Sequence, residues 1–511
     1  MVSDENLLSA RPRRPVATPL ADLAAWLEGE DADTTTSGDL AAAPDVTGLS
    51  LSSQRILPGD VYAALPGTRV HGIEYAATAV GAGAVAILTD PDGAAAVDAP
   101  GVPLLVVARP RAVLGRLAAR VYGNPATALR MIGVTGTQGK TTTTRLAEGG
   151  LQQAGIPAAV IGTVGTRVAG TDLRTTLTTP EAPDLHGLFA MMRERRVAVC
   201  AMEVSSHALV MGRVDGVVFD VAVFLNLGRD HLDFHADVED YYRAKASLFT
   251  PERARLGLVN VDDEHGRRLA AEATIPIRTF SLTGRDAHWQ AVDVELEAGG
   301  SRFTVLGPDG IAVDAAVPLP GDFNVGNALA AIAACAEVGV DTARVADGIA
   351  AAGGVPGRLE RVDAGQDFVV VVDYAHKPDA VEAALRTLRP LTDGAVIVVI
   401  GAGGDRDPGK RPIMGEIASR LADVLVVTDD NPRTEDPAAI RAAVLAGATG
   451  GRAEVLEIGD RRAAIREAVR RARPGDIVVV AGKGHETGQT VAGVVHPFDD
   501  REVVRAELRS R

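Results

Sequence analysis

A chain of 511 residues is too long to bury one hydrophobic core, and its length favours roughly three domains. Its composition, 46% hydrophobic and 23% charged, is ordinary for a soluble globular protein. The formal net charge of −15 argues against nucleic acid or an anionic membrane surface as a partner, so any anionic substrate must be held by local cations and helix ends.

Short, mixed signals in residues 20–128 predict a small N-terminal α/β domain. A helix is expected over residues 76–82, and strands over 85–89 and 103–107. The preceding residues 1–19 carry a basic, proline-containing run and lack an apolar signal core, so we expect a disordered tail there.

Residues 132–144 read as a strand end, a glycine-punctuated loop and a helix start. Gly136 and Gly139 remove the Cβ atoms that would keep backbone N–H groups from closing around a phosphate. Lys140 adds a full charge beside the positive end of the helix, and the Thr141 hydroxyl is suited to hold Mg²⁺. The predicted nucleotide-binding residues of this loop are Gly136, Thr137, Gln138, Gly139, Lys140, Thr141 and Thr142.

Two sets of alternating strands and helices follow the first domain. The strands of residues 129–356 are nearly continuous apolar runs, which suit a parallel sheet covered on both faces. A second alternating set in residues 357–511 predicts a Rossmann-like unit. The predicted fold class is therefore α/β, with an N-terminal domain (20–128), a central P-loop ATPase-like domain (129–356) and a C-terminal Rossmann-like domain (357–511).

Polar residues directly after the central strands are candidate metal ligands. Glu203 follows one strand and is expected to bind Mg²⁺ beside Thr141, although Ser205 and its neighbour also suit a helix cap. His231 lies among carboxylates after another strand, where a metal or phosphate site is plausible. Lys245 is bordered by small and apolar side chains, a pattern that by itself favours a snorkelling lysine.

Three loops of the third domain, residues 403–407, 430–433 and 482–486, each follow a predicted strand. Strand-end loops converge where a Rossmann-like unit binds its ligand. Arg406 and Arg433 offer planar forks suited to carboxylates, and Glu486 offers an acceptor for an ammonium group. Together they could bind a molecule that carries carboxylate and ammonium groups; the alternative is a set of exposed turns held by surface ion pairs.

The ordered motifs over residues 46–500 resemble the Mur ligase superfamily, the ATP-dependent amide ligases of peptidoglycan precursor assembly, and within it the tripeptide synthetase branch. The resemblance is carried by the phosphate loop and six further segments in the family's order. These segments are Thr178-Thr179-Pro180, Glu203–His207, Asn226–Asp233, Tyr241–Phe249, Gly321–Asn327 and Asp430–Arg433.

The resemblance also implies residue roles. It places Asn327 at adenine, Arg358 near the ribose and phosphates, and Asp373 and His376 near the transferred phosphoryl group. It implies that Lys245 is carbamylated and holds a second Mg²⁺ with His231. The implied UDP-sugar contacts are Ser52 or Ser53, Thr178, Thr179, Ser205 and Arg213; the implied diaminopimelate contacts are Arg406, Asp430, Asn431, Pro432, Arg433, Gly482 and Glu486.

The chain departs from the family pattern at two positions. Met211 stands where family members often carry Gln, which bears on the UDP-sugar contact made near Arg213. Lys377 stands where Thr is common, and we interpret that difference as surface variation.

The function implied by the resemblance is addition of diaminopimelate to the D-Glu of UDP-N-acetylmuramoyl-L-Ala-D-Glu, through an acyl phosphate formed with ATP and two Mg²⁺ ions. Two alternatives within the superfamily are a lysine-adding homologue and a ligase like folylpolyglutamate synthase. An alternative of another class is a nucleotide switch or scaffold that binds ATP without ligating.

Location and assembly are also expected from the chain. Cys200 and Cys335 stand in apolar surroundings and predict buried free thiols in a reducing compartment. No run approaches the roughly 18 apolar residues of a membrane span. We expect a cytoplasmic monomer acting on small molecules.

Overall fold

The computed structural model describes residues 11–511 and divides into two compact units. The first unit runs to Trp289 and includes Ala330–Val345; the second comprises Gln290–Leu329 and Ala346–Arg511. Residues 1–10 of the predicted tail lie outside the described residues. Within 11–19, Arg11 donates to Asp60 over 2.6 Å and Thr18 pairs with Val46.

The N-terminal part of the first unit is built on a sheet with strand order β1-β5-β4-β3-β2. Only β1 runs antiparallel to its neighbour among these described strands, and the apolar faces of β3 and β4 are buried. The strands are β1 (Thr35–Ser37), β2 (Gly48–Ser50), β3 (Asp60–Ala63), β4 (Ala86–Thr89) and β5 (Leu104–Val106). The helices are Leu20–Glu30, Ala76–Gly81, Pro91–Ala96 and Pro110–Val121.

A second sheet of the first unit has a parallel core, as the apolar runs predict. Its order is β13-β12-β11-β6-β10-β7-β8-β9, with β8 and β9 added antiparallel. The strands are β6 (Arg130–Thr135), β7 (Ala158–Gly162), β8 (Gly165–Val168), β9 (Thr171–Leu173), β10 (Val199–Glu203), β11 (Val221–Phe224), β12 (Gly257–Asn260) and β13 (Ile277–Ser281).

The helices of this region begin at residues suited to start them. Gly139, at φ 87°, precedes Lys140–Gln153, and the Ser205 hydroxyl caps Ser206–Val210, so the capping role considered for Ser205 is confirmed. The other helices of this region are Ala182–Glu194, Val238–Ala246 and Glu264–Glu272.

An antiparallel ladder and two helices follow. The ladder consists of β14 (Trp289–Glu297), β15 (Gly300–Leu306) and β16 (Ala312–Val317). The helices are Asp322–Glu337 and Thr342–Ala351. Asn327 lies inside the first of these two helices.

The C-terminal part of the second unit has a sheet in the order β17-β18-β22-β19-β20-β21. All neighbours except β17 and β18 pair in parallel, and the apolar strands β19 and β22 are buried, as predicted for a Rossmann-like unit. The strands are β17 (Glu360–Arg361), β18 (Val369–Asp373), β19 (Val396–Ile400), β20 (Val424–Val427), β21 (Glu454–Glu457) and β22 (Ile477–Ala481), followed by the hairpin β23 (Gly488–Val491) and β24 (Val494–Pro497).

Helices separate these strands, as the predicted alternation requires. They are Pro378–Leu388, Lys410–Leu421, Pro437–Gly447, Arg461–Arg471 and Asp500–Arg509. Cys200 and Cys335 are free and buried, which confirms the interpretation of the two thiols. Among residues 11–511, no helix has both the length and the apolar character needed to cross a membrane.

Candidate active site

The phosphate loop joins β6 to the helix that begins at Lys140. The side chain of Asn226, just beyond the end of β11, accepts hydrogen bonds from the backbone N–H groups of Thr137 (3.1 Å) and Gln138 (2.9 Å), and it donates to the Gln138 carbonyl (3.2 Å). These two amides are therefore engaged in fixing the loop. The amides of the first helical turn, including those of Thr141 and Thr142, lack intrahelical acceptors and are the better-placed donors for a phosphate.

Two lysines meet at one carbonyl oxygen of this loop. Lys140 Nζ donates to the Gly136 carbonyl over 2.7 Å and to that of Thr137 over 3.1 Å, and Lys245 Nζ donates to the same Gly136 oxygen over 2.8 Å. Lys245 is fully buried and lies 4.5 Å from the centre of the Tyr241 ring. Burial, and next the charge of Lys140, lower the pKa of Lys245 well below its ordinary value.

Tyr241 ties the loop to the helix that carries Lys245. Its hydroxyl is hydrogen-bonded to the Thr137 hydroxyl over 3.2 Å, and that hydroxyl also accepts from the N–H of Gly228 over 2.9 Å. Burial raises the pKa of Tyr241 to about 12, so the phenol stays protonated. The loop is therefore held from two sides, by Asn226 and by Tyr241.

Glu203 ends β10, opposite Val134 of the neighbouring β6, which places it at the same sheet edge as the loop. Its carboxylate is buried and accepts from the Thr163 N–H (2.8 Å) and hydroxyl (3.1 Å). A Cβ on Gly162 would lie 2.2 Å from a Glu203 carboxylate oxygen, so the glycine makes room for the carboxylate. The Thr163 hydroxyl also contacts that of Thr178 over 3.0 Å.

The predicted UDP-sugar residues form a connected group around Thr179. The Thr179 hydroxyl donates to the Glu203 carbonyl over 2.8 Å and accepts from the Ser205 N–H over 3.2 Å. Arg213 donates to the Thr179 carbonyl over 3.3 Å and pairs with Glu181 at 2.8 Å.

Two further observations concern the predicted UDP-sugar contacts. Arg213 also contacts the Met211 sulfur at 3.6 Å, the position at which the family often carries Gln. Ser52 and Ser53 lie on the connection after β2, where the Ser52 N–H donates to the Ser50 hydroxyl. The structure does not link this connection to Thr179 by a hydrogen bond among the described side chains, so its role stays a prediction.

A histidine cluster borders the loop. The His231 ring packs edge-on against that of His207, with centroids 4.9 Å apart, and its Nε2 lies 3.6 Å from Asp230. His207 in turn stacks on Phe234 at 3.9 Å. His235 is buried and donates from Nδ1 to Asp240 over 3.0 Å.

The donor set of the first unit fits Mg²⁺ in part. Thr141 and Glu203 supply oxygen atoms, which Mg²⁺ prefers, usually together with substrate phosphates. Within residues 11–511, no group of three or more His, Cys, Asp or Glu side chains is arranged to hold a metal ion, so phosphate oxygens would complete such a site. Lys245 fits a second ion only as an anionic carbamate, because its ammonium form is itself a cation.

In the second unit, Asn327 is buried and donates to the Asn324 side chain over 3.3 Å. Asp373 ends β18 and accepts from the N–H groups of Leu359 (2.7 Å) and Ala375 (2.8 Å). Burial raises the pKa of Asp373, against the opposing effect of the Arg358 charge.

Tyr374 follows Asp373 and is surrounded by several predicted site residues. The Arg358 guanidinium lies over the Tyr374 ring at 4.8 Å, and the His485 ring lies 5.1 Å from it. His376 donates from Nδ1 to the Tyr374 carbonyl over 2.7 Å, and burial lowers the pKa of His376. The predicted residues Arg358, Asp373 and His376 are therefore brought together around one side chain.

The predicted amino-acid residues also converge at strand ends. The Asn431 amide donates to Glu486 over 2.8 Å, and Arg433 donates to the Gly404 carbonyl over 2.5 Å. The Gly404 N–H donates to the Asn431 carbonyl over 2.9 Å, which joins the first two loops.

The remaining members of the predicted set differ in exposure. Arg406 is exposed, whereas Asp430 and Pro432 are buried. A Cβ on Gly482 would lie 2.9 Å from Asp430, so this glycine is required for a close approach. The three loops are therefore linked by hydrogen bonds at neighbouring strand ends, and a ligand-binding role for them stays a prediction.

Four side chains of these sites were given no role from the sequence: Thr163, Asn226, Tyr374 and Lys483. Thr163 and Asn226 lie one or two residues beyond the ends of β7 and β11, and Tyr374 directly follows β18. All four would have been found if every polar residue just past the end of a parallel strand had been taken as a candidate site residue.

Comparison with known proteins identifies the family. Residues 45–122 match the family described as "Mur ligase family, catalytic domain", residues 134–335 match "Mur ligase middle domain", and residues 357–484 match "Mur ligase, glutamate ligase domain". These matches confirm the predicted three-domain α/β architecture. The exact boundaries proposed from the sequence stay predictions.

Similar proteins cover nearly the whole chain. A Streptomyces avermitilis protein named UDP-N-acetylmuramoyl-L-alanyl-D-glutamate–2,6-diaminopimelate ligase is 56% identical over 504 residues, 98% of each chain. A Streptomyces coelicolor protein of the same name is 55% identical over 508 residues, again 98% of each. A solved structure of a ligase of that name superposes with a TM-score of 0.70 at 33% identity, over 97% of this chain and 99% of the other. The chain therefore belongs to the Mur ligase family.

Proposed function

We propose that the chain is an ATP-dependent ligase that joins diaminopimelate to the D-Glu carboxylate of UDP-N-acetylmuramoyl-L-Ala-D-Glu in peptidoglycan precursor synthesis. The observation that carries the proposal is the meeting of Lys140 and Lys245 at the Gly136 carbonyl, beside a phosphate loop fixed by Asn226. Lys140 places a cation beside the loop, where it suits an anionic phosphate, and the lowered pKa of Lys245 suits that side chain to carbamylation. The names of the relatives described above agree with this function.

The reaction must first make a carboxylate electrophilic. A carboxylate oxygen of the D-Glu attacks the γ-phosphorus of ATP, the bond to the ADP oxygen breaks, and an acyl phosphate forms. Lys140 and the first-turn amides at Thr141 and Thr142 would neutralise the charge that gathers on the phosphoryl oxygens. When bound at Thr141 and Glu203, Mg²⁺ would supply further charge neutralisation.

The amine then completes the reaction. The diaminopimelate nitrogen attacks the acyl carbon, a tetrahedral intermediate forms, and the carbon–oxygen bond to phosphate breaks, giving the amide, phosphate and a proton. His376, whose pKa is lowered by burial, donates from Nδ1 to the Tyr374 carbonyl, so its Nε2 is a candidate proton acceptor. Binding of the distant UDP group through the Thr179 group would position the reacting carboxylate.

The amino-acid specificity follows from the third-domain loops. Arg433 offers a planar fork to the distal carboxylate of diaminopimelate, and Glu486 accepts from its ammonium group. Lysine has no distal carboxylate, so it would leave the arginine without a negatively charged partner, at a cost of about 3 kcal/mol. That cost corresponds to a preference for diaminopimelate of on the order of a hundredfold.

The decisive experiment is a phosphate-release assay with ATP, the UDP-dipeptide and a panel of amino acids. We expect release to require both the UDP-dipeptide and diaminopimelate, with lysine about a hundredfold poorer in kcat/KM. Phosphate release that occurs with the UDP-dipeptide and lysine, but not with diaminopimelate, would favour the lysine-adding homologue. Release with a folate and glutamate would favour a folylpolyglutamate synthase, and binding of ATP with no release would favour a nucleotide switch.

The proposal also covers the cellular compartment of the enzyme, its oligomeric state and its metal ions. The two buried free thiols are consistent with the reducing cytoplasm, where nucleotide-linked substrates are found. We propose that the enzyme works there as a monomer on small molecules, with two Mg²⁺ ions and with Lys245 carbamylated.

A further inference from the structure

We propose that Lys483 is a positioning residue for amino-acid recognition: it acts through Asn431 and Glu486 rather than by contacting the substrate. This inference deepens the proposed function and rests on it. Lys483 follows Gly482, directly after β22, and its side chain has no exposed surface. A buried ammonium group must be paired to be tolerated, so its partners indicate what it does.

The partners of Lys483 belong to the amino-acid site. Its Nζ donates to the Gly488 carbonyl over 2.5 Å, to the Asn431 side-chain oxygen over 3.3 Å and to Glu486 Oε2 over 3.3 Å. It also lies 3.9 Å from Asp430 Oδ1, a buried atom without a hydrogen bond in the described structure. One ammonium group is thus shared by three acidic or amide residues of the predicted set.

The contacts fix which way the Asn431 amide faces. Its oxygen accepts from Lys483 and from the Thr490 N–H (2.9 Å), so its nitrogen is left to donate to Glu486 over 2.8 Å. If the Asn431 amide were rotated by 180°, its N–H₂ group would face two hydrogen-bond donors, Lys483 Nζ and the Thr490 N–H, and could bond to neither. Lys483 and the Thr490 N–H together therefore set the orientation of Asn431, and Asn431 in turn holds Glu486.

The Lys483 ammonium group also offsets the negative charges of Glu486 and Asp430. Glu486 Oε2 receives hydrogen bonds from both Asn431 and Lys483, while 35% of the Glu486 side chain stays exposed and accessible to a ligand. Asp430 is 5% exposed. Without the cation, these two neighbouring carboxylates would lose a positive charge that offsets their mutual repulsion. A Glu486 carboxylate held in place by Asn431 and Lys483 is what a substrate ammonium group requires.

The test is a double-mutant cycle on the full-length enzyme between Lys483→Met and Glu486→Gln, read as phosphate release. We expect K483M to raise the KM for diaminopimelate about ten- to a hundredfold, with kcat within about threefold and the KM for ATP and for the UDP-dipeptide within about twofold. If Lys483 acts through Glu486, the double variant has about the same KM for diaminopimelate as E486Q alone.

The matched control is Arg466→Met, which removes an ion pair with Glu507 (2.9 Å) on helices of the same unit and should leave all three KM values unchanged. An unchanged KM for diaminopimelate in folded K483M would overturn the proposal. So would a double variant whose KM increase is the product of the two single increases, because the two residues would then act independently.

If K483M does not fold, K483Q replaces it. Failure of both variants to fold would also overturn the proposal, because Lys483 would then serve folding rather than recognition. Absence of diaminopimelate-dependent release by the wild type would instead contradict the proposed function itself.

Discussion

Lys140 and Lys245 donate hydrogen bonds to the same carbonyl oxygen, that of Gly136, over 2.7 and 2.8 Å. Two ammonium groups this close repel each other, and the buried setting of Lys245 increases the penalty. An anionic phosphate bound at the loop would relieve the repulsion, and so would conversion of Lys245 to a neutral or anionic form. The pair therefore makes the site selective for negative charge.

Substitution of Lys140 tests the phosphoryl role. Lys140→Met removes a cation that would stabilise charge developing on the transferred phosphoryl group, so we expect kcat for phosphate release to fall about 10²- to 10³-fold. Gln153→Ala, at the exposed far end of the same helix, is the control and should retain wild-type kcat. A K140M enzyme with kcat within a few fold of wild type would refute the assignment.

Substitution of Asn226 tests whether its hydrogen bonds hold the phosphate loop ready for ATP. Asn226→Ala removes the acceptor of two backbone amides, and the loosened loop should raise the KM for ATP about tenfold while leaving the KM for diaminopimelate unchanged. Asn226→Asp keeps the acceptor but adds a negative charge beside the phosphates and should bind ATP more weakly still. Equal KM values for ATP in the wild type and both variants would show that the loop is fixed by other contacts.

Carbamylation of Lys245 has a chemical signature. Only a neutral amine reacts with CO₂, and the lowered pKa of Lys245 increases its neutral fraction near pH 7. Enzyme freed of CO₂ should therefore regain activity on addition of bicarbonate near neutral pH. Labelling with ¹³C-bicarbonate should give a carbamate carbon signal in the wild type that is missing in Lys245→Arg. Equal activity and equal labelling of the two proteins would contradict the modification.

The fold was largely predictable, since buried parallel strands such as β6, β19 and β22 are apolar throughout and need no tertiary information to recognise. Residues at the ends of such strands, among them Glu203 and Asn431, were also predictable as site candidates. The roles of Asn226 and Lys483 were not, because each depends on hydrogen bonds to residues dozens of positions away in the sequence. Local pattern carries no information about such partners.

Arg433 tests the choice of amino acid. Arg433→Ala should raise the KM for diaminopimelate about a hundredfold and leave the KM for ATP unchanged, because the lost fork would bind only the distal carboxylate. The ratio of kcat/KM for diaminopimelate over lysine should fall as well. Arg420→Ala, which removes an exposed arginine of the same unit, is the control. A loss shared equally by ATP and diaminopimelate would contradict this role.

The lowered pKa of Lys245 also predicts a stability change with a definite sign. Between its folded and unfolded pKa values, the unfolded chain binds a proton that the folded chain does not, so the free energy of unfolding rises with pH in that window and is reduced as pH falls. In CO₂-free buffer, Lys245→Met should therefore have a higher Tm than the wild type at pH 6, by roughly 1–2 °C for each kcal/mol of penalty removed, and the difference should shrink towards pH 10. Lys377→Met, at an exposed lysine, is the control and should show no such trend. A Tm difference between K245M and the wild type that stays constant from pH 6 to pH 10 would show that the Lys245 ammonium is not destabilised by burial.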